Sequence, residues 1–347
     1  MGITPVGITG EDLLPPGQTT HTGQCRICGS TDVMPFKARE MMYGLRELFD
    51  YHECKACGCL QISAYPDNIA RFYPADYYSF APPAEAPAPT GLAAQAKVAI
   101  RTLLLRSHAV RQWQFNRVSR QAWVARAPFL SLYVGILPNP DARILDVGCG
   151  DGALVRALRD LGYRNAVGAD PFVRAEIVYQ GRTLVHRQSL GEIIGPFDCI
   201  SMHHAFEHMP NQRQVLQQAR ALLQPGGLLL LRIPVTGGAA WRTYGTDWVQ
   251  LDPPRHFYVH TPRSLQELAR QAGFAVRSLK YDSTALQFWG SELYRQDIPL
   301  TDPRSPAKGS KVVISAAAMA AFERAAEQLN AECDGDQVVA LLEPSLA

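Results

Sequence analysis

The stretch Asp146–Gly152, with the sequence DVGCGDG, decides the fold. The apolar segment ARILDVG predicts a β-strand that ends in this stretch, and apolar residues at helical spacing follow it. Glycines at such a junction permit a tight turn and let a ligand approach backbone N–H groups at the positive end of a helix. The spacing is not G-x-G-x-x-G, which disfavours a dinucleotide-binding domain. The stretch therefore predicts a ligand-binding loop between a strand and a helix.

Beyond this loop the chain alternates short apolar runs with helical patterns, which predicts a parallel sheet covered by helices. The later predicted strands are NAVGADP, RTLVHRQ, FDCISMHH, LLLLRIP, AVRSLKY and DQVVALLEP. Asp170 ends the first of these, where a carboxylate can accept hydrogen bonds from both hydroxyls of a ribose. The structural alternative is that the glycines only make a tight turn and that Asp170 only begins a helix.

The strand, the DVGCGDG loop, the helix and the following GADP resemble the class I S-adenosylmethionine-dependent methyltransferases over roughly residues 143 to 344. The resemblance implies an α/β fold with a Rossmann-like, seven-stranded sheet and helices on both faces. It also implies S-adenosylmethionine as cofactor, with the methionine end cradled by the glycine loop. The matching positions are Asp146, Gly148, Gly150 and Gly152. Asp170 matches the acid that binds the ribose, and Gln188 and Ser189 stand where the family often places an adenine contact.

A histidine-rich segment, HHAFEH, follows the fourth predicted strand. Transfer to a hydroxyl or an acidic C–H needs a general base, and a histidine with a pKa of about 6.5 suits that role near neutral pH. We predict His208 as the base, His204 as the second candidate and Glu207 as the residue that orients either of them. The alternative is a structural role, with Glu207 near a helix start and the histidines packed.

The segment DPPRH, residues 252–256, is a candidate substrate site. Its two prolines fix the backbone, and Arg255 and His256 can meet phosphate or sugar hydroxyls. Trp248, just before it, can stack on a ring. The alternative is a rigid surface turn with a solvated arginine.

Two copies of a C-x-x-C-G knuckle, CRICG and CKACG, predict a metal site near the N-terminus. Four thiolates satisfy the tetrahedral preference of zinc without an open position, so the predicted role is structural. The predicted ligands are Cys25, Cys28, Cys54 and Cys57. The N-terminus does not resemble a signal peptide, so we expect a cytoplasmic protein, in which disulfides are disfavoured.

Composition sets further bounds: 347 residues, 47 % hydrophobic, with a net charge of +2 that gives no overall attraction to nucleic acid. No apolar run approaches the length of a membrane span. Seven basic residues and no acid lie between residues 86 and 140. We predict a flexible tail at 1–20, a zinc ribbon at 21–66, a Pro/Ala-rich linker at 67–91, a basic helical segment at 92–137 and a methyltransferase domain at 138–347.

The combination of CRICGS, CKACG, the glycine loop and HHAFEH resembles bacterial enzymes that methylate sugars. This resemblance implies a small-molecule acceptor, a sugar or a nucleotide-linked sugar, and leaves the choice between O- and C-methylation open. An RNA methyltransferase is the enzymatic alternative, because a zinc ribbon followed by basic helices is also typical of nucleic-acid proteins. A non-catalytic, zinc-anchored binding protein is the third. The sequence does not indicate an oligomeric state.

Overall fold

The computed structural model of the chain describes residues 23–74 and 130–345, together with positions 104, 107, 109, 110 and 113. The predicted tail at 1–20 lies outside the described residues, as do most of the predicted linker at 67–91 and of the basic segment at 92–137. Among the helices in the described ranges, none has the length and apolar character needed to cross a membrane.

The described secondary structure alternates strands and helices after residue 130. The strands are β1 (Val33–Arg39), β2 (Leu48–Cys54), β3 (Leu60–Ile62), β4 (Arg143–Val147), β5 (Asn165–Ala169), β6 (Ile177–Tyr179), β7 (Arg182–His186), β8 (Phe197–His203), β9 (Leu223–Pro234), β10 (Tyr258–Val259), β11 (Phe274–Tyr281) and β12 (Gln337–Pro344). The α-helices are α1 (Leu130–Ile136), α2 (Ala153–Asp160), α3 (Gln212–Leu222), α4 (Ala239–Tyr244), α5 (Pro262–Gln271), α6 (Leu286–Arg295) and α7 (Ala316–Ala331). All seven strands predicted from the apolar runs are confirmed.

The chain divides into two compact units, each built from separate stretches of sequence. The described residues of unit 1 come from Met1–Pro74, His204–Arg220 and Leu230–Ala347. Those of unit 2 come from Ala75–His203 and Ala221–Leu229. These units differ from the predicted division at residue 138, because segments far apart in sequence pair within unit 1.

Unit 2 contains the sheet that carries the glycine loop. Its strand order is β9-β8-β4-β5-β7-β6, with β9 contributing its first part. β4 pairs in parallel with β5 and β8, and β5 pairs in parallel with β7. The carboxyl ends of these four strands therefore meet at one edge, where ligands of open α/β sheets bind. The predicted α/β fold is confirmed.

The short strand β6 is an addition to the seven predicted strands. It pairs antiparallel with β7 through a turn at Gln180 and Gly181, both of which have positive φ. Three residues give too little alternation to be recognised in the sequence.

Unit 1 contains the segment with the paired cysteines. Strands β1, β2 and β3 form an antiparallel sheet with β10, in which Tyr258 stands opposite Gln61. The second part of β9 continues in this unit with β12 and the antiparallel β11. Ile69 and Phe72, inside the predicted linker, are fully buried. The cysteine segment is thus built into a unit that also contains the C-terminal part of the chain.

Candidate functional site

The glycine loop after β4 needs each of its glycines. Gly148, Gly150 and Gly152 have φ of +68°, +53° and +74°, a region that L-residues with a side chain rarely adopt. A Cβ atom on Gly152 would lie 2.6 Å from Cγ2 of Val185. The loop passes directly into α2, and the N–H groups of its three glycines donate within the protein: Gly148 to the carbonyl of Ala169, Gly150 to Asp170 and Gly152 to the carbonyl of Cys149.

Asp170 holds this loop in place. Its Oδ2 accepts a hydrogen bond from the backbone N–H of Gly150 at 2.9 Å, and its Oδ1 accepts one from that of Phe172 at 2.8 Å. Burial raises the pKa of Asp170, and the two N–H donors oppose that rise. The carboxylate predicted to bind a ribose therefore also fixes the loop that would bind the rest of the cofactor.

Asp146, predicted at the cofactor site, is buried in unit 2. Its Oδ1 accepts a hydrogen bond of 2.7 Å from the hydroxyl of Ser201, which stands opposite it on β8. Burial raises the pKa of Asp146 to about 7; Ser201 opposes the rise and Asp170 adds to it. The sequence analysis missed Ser201, because only the register of β4 against β8 brings the two residues together.

The two predicted adenine contacts differ in their surroundings. The backbone N–H and the hydroxyl of Ser189 both donate to Oε2 of Glu192, at 2.7 Å each. Gln188 lines a cleft of about 500 Å³ in unit 2, together with Arg182 and His186. Gln188 therefore faces this cleft, whereas Ser189 is exposed and hydrogen-bonded to Glu192.

Glu207 is the centre of a polar cluster in unit 1. It is 1 % exposed, and neither carboxylate oxygen makes a hydrogen bond within the described part of the chain. Nδ1 of His204 lies 3.3 Å from Oε1 without the alignment of a hydrogen bond, and Nε2 of His256 lies 4.0 Å from it. Burial alone would raise the pKa of Glu207, but the surrounding imidazoles, including His208, outweigh it and lower the pKa to about 2.

The two candidate bases are held differently. Nδ1 of His208 donates to the backbone carbonyl of Arg255 at 2.9 Å, which leaves Nε2 as the nitrogen with a lone pair. Burial lowers the pKa of His208 to about 4; His256 adds to this effect and Glu207 opposes it. By contrast, Nη1 of Arg232 donates to Nε2 of His204 at 2.8 Å. The lone pair that His204 would use as a base is therefore already hydrogen-bonded to the guanidinium of Arg232.

Two of the three predicted substrate contacts are buried in structural bonds. The guanidinium of Arg255 is fully buried and forms ion pairs with Glu40 at 2.9 Å and Asp252 at 2.5 Å. Trp248 is 1 % exposed and donates from Nε1 to Oδ2 of Asp336 at 3.0 Å. Trp248 therefore lacks the open ring face that stacking on a substrate would need. Arg255 is neither open to a substrate nor solvated, as the alternative interpretation would have it. His256 instead belongs to the Glu207 cluster.

The four predicted metal ligands converge in unit 1. Their sulfurs lie within 4.8 Å of one another, with 3.7 Å between Cys25 and Cys57 and 3.5 Å between Cys28 and Cys54. A tetrahedron with Zn–S bonds of about 2.3 Å places its sulfurs about 3.8 Å apart, so the four residues fit zinc. Nε2 of Gln61 donates to Sγ of Cys25 at 2.9 Å, as expected beside a thiolate.

The fold and the loop define an α/β protein with a ligand site at the carboxyl edge of its sheet. Comparison with known families identifies the class of protein. The chain belongs to the methyltransferase domain family, which matches residues 95–279, more than half of the chain. The prediction of a methyltransferase is confirmed at this level.

Individual relatives match over shorter stretches. A ubiquinone biosynthesis O-methyltransferase from Cereibacter sphaeroides is 31 % identical over 155 residues, or 40 % of this chain and 62 % of that protein. The enzyme of the same name from Dinoroseobacter shibae is 32 % identical over 162 residues, or 39 % of this chain and 62 % of that protein. The chain thus spans less than two thirds of these relatives. The solved 1,6-didemethyltoxoflavin-N1-methyltransferase of Burkholderia thailandensis, with bound S-adenosylhomocysteine, covers 76 % of this chain and 95 % of its own, at 16 % identity and a TM-score of 0.38.

Proposed function

We propose that this chain transfers the methyl group of S-adenosylmethionine to an oxygen atom of a small-molecule acceptor. The observation that carries this proposal is the glycine loop held by Asp170, a tight turn between β4 and α2 with a buried carboxylate beside it that can accept from the hydroxyls of a ribose. Membership of the methyltransferase domain family supports the reaction class. The names of the matched relatives support oxygen as the atom methylated.

The cluster of Glu207, His208 and His256 is our candidate for activating the acceptor. A hydroxyl group becomes a good nucleophile when its proton is removed or its pKa is lowered. Glu207 and His208 follow His203, the last residue of β8, by four and five residues, and β8 is the parallel neighbour of the strand that ends in the glycine loop. Glu207 and His208 therefore come directly after β8 in the sequence.

The class of acceptor is defined less sharply. The sequence predicted a sugar or nucleotide-linked sugar, but Trp248 and Arg255, the residues chosen to meet it, are buried in structural bonds. We therefore propose a small hydroxyl-bearing molecule and include sugars among the acceptors to be tested. The basic segment that motivated the RNA alternative lies mostly outside the described residues.

We also propose that Cys25, Cys28, Cys54 and Cys57 hold a structural zinc ion. The sulfur spacing supports this, as do the two knuckle glycines, Gly29 and Gly58, whose φ angles are +77° and +76°. Each of them donates its N–H to the carbonyl of the first cysteine of its knuckle. With four thiolates the metal has no open position, so it stabilises the segment and takes no part in the transfer.

The test is transfer of labelled methyl from S-adenosylmethionine to a panel of phenols, sugars, nucleotide-sugars and RNA. We expect label on a small hydroxyl compound, and none when His208→Ala replaces the wild type, although that variant binds the cofactor as tightly. Asp170→Ala, in contrast, should weaken cofactor binding and therefore also reduce transfer at a fixed cofactor concentration. Label on RNA alone, or full transfer by His208→Ala, would contradict the proposal.

A further inference from the structure

The carboxylate of Glu207 is buried without a hydrogen-bond donor among the described residues, and its nearest imidazole nitrogen is Nδ1 of His204 at 3.3 Å. It is almost completely buried, yet neither of its oxygens accepts a hydrogen bond in the described part of the chain. A buried charge in this condition is costly unless a cation or several donors compensate it. The nearby carboxylate of Asp252 is already engaged by the guanidinium of Arg255.

Two imidazoles face this carboxylate in the same way. Nδ1 of His208 donates to the carbonyl of Arg255 at 2.9 Å, and Nδ1 of His256 donates to the carbonyl of Gln250 at 2.8 Å. Histidines that ligate metals typically hold their other ring nitrogen in this manner, by donating to a backbone carbonyl or a carboxylate. Nε2 is thereby left as the nitrogen with a lone pair in both rings; Nε2 of His256 also lies 3.8 Å from Oδ2 of Asp252.

The spacing of the three side chains suits one ion. One ligand atom from each of Glu207, His208 and His256 can be chosen so that all lie within 4.8 Å of one another. His208 is half-buried while the other two are buried, so the group has one side toward solvent. Two imidazoles and one carboxylate are a ligand set that first-row divalent transition metals bind.

We infer that Glu207, His208 and His256 bind a divalent transition-metal cation, separate from the ion proposed for the four cysteines. Its role in the reaction rests on the proposed function. A cation here would bind the oxygen of the acceptor hydroxyl and lower its pKa, so that the proton leaves to water. The oxygen then takes the methyl group, the sulfur–methyl bond breaks, and its electron pair stays on the sulfur of S-adenosylhomocysteine.

The test uses the full chain with its cysteine site filled with zinc, freed of weakly bound metal and titrated with Co²⁺. We expect one further equivalent to bind, with visible absorption typical of nitrogen and oxygen ligands and without a thiolate-to-cobalt charge-transfer band. Glu207→Gln, which keeps the shape and removes the charge, should weaken Co²⁺ binding at least tenfold. Glu292→Gln, a carboxylate elsewhere in unit 1, serves as the matched control and should bind Co²⁺ as the wild type does.

The zinc content and the circular dichroism spectrum of each variant show whether it has folded. Both should match those of the wild type. Co²⁺ should also raise the melting temperature of the wild type but not of Glu207→Gln. Absence of a second equivalent in the wild type, or equal binding by Glu207→Gln, would overturn the inference. If labelled methyl is transferred fully without the second cation, the inference fails while the proposed function stands. If the cation binds but no compound on the panel is labelled, the site stands and the proposed function fails.

Discussion

The backbone N–H of Gly150 donates a 2.9 Å hydrogen bond to Oδ2 of Asp170, which joins the loop after β4 to the end of β5. Asp170 is buried, and its second oxygen holds Phe172. A carboxylate has about four acceptor positions, so two remain for the hydroxyls of a ribose. One side chain can therefore shape the loop before the cofactor arrives and contact the cofactor afterwards.

Asp170→Ala should weaken the binding of S-adenosylmethionine by about 10- to 100-fold. It removes hydrogen bonds to a charged acceptor, worth about 1.5–3 kcal/mol, and also loosens the loop at Gly150. Isothermal titration calorimetry measures the change. Asp141→Ala is the control, because Asp141 is a partly exposed residue of unit 2 that pairs with Arg164. Equal affinity of Asp170→Ala and wild type would remove the ribose assignment.

Elemental analysis should find zinc at about one ion per chain, and Cys54→Ser should lose it and unfold at a lower temperature. Three remaining thiolates leave the tetrahedron open and weaken the metal that stabilises the segment. Cys333→Ser is the matched control, since Cys333 is exposed and outside the cysteine cluster. Retention of a full equivalent of zinc by Cys54→Ser would show that the four thiols do not form the site.

Arg255→Met should destabilise the protein by about 3–5 kcal/mol in urea unfolding. It leaves the carboxylates of Glu40 and Asp252 buried near one another without their shared cation. Arg39→Met is the comparison, because Arg39 forms partly exposed pairs with Asp247 and Asp297, and pairs near the surface are worth about 0–1 kcal/mol. A small effect of Arg255→Met on stability combined with a large rise in acceptor KM would restore Arg255 as a substrate contact.

Stability should fall as the pH falls from 7 to 5, with His260 contributing on the order of 2 kcal/mol. Burial lowers the pKa of His260 to about 4, opposed by Glu207, whereas the unfolded value is about 6.5. Between these values the unfolded chain binds a proton that the folded chain does not, so acid favours unfolding. Urea unfolding at both pH values should show a smaller loss for His260→Asn than for the wild type. An identical loss would contradict the assignment.

Local patterns were sufficient to predict the parts of the fold that depend on neighbouring residues. Apolar runs located seven strands, and the glycine spacing located a loop whose three glycines all have positive φ. The two C-x-x-C-G knuckles located four sulfurs that converge. In each case the information lies within a few residues of the chain.

The features that the sequence did not predict depend on contacts between residues that are far apart along the chain. The burial of Arg255 follows from Glu40, more than two hundred residues earlier, and the environment of Asp146 follows from Ser201 on another strand. Neither partner has a local motif. Arg255 and Trp248 look exposed in the sequence because charged and aromatic residues beside prolines are typical of surface loops, and only the fold supplies Glu40 and Asp336.

The pairing of β3 with β10 has a consequence for synthesis. About 200 residues separate the two strands, so at roughly 5 to 20 residues per second the ribosome needs about 10 to 40 s between them. During that time the edge of β3 that β10 will cover has no strand beside it. The cysteine segment is translated early, but its sheet is completed only when Tyr258 and Val259 have left the ribosome.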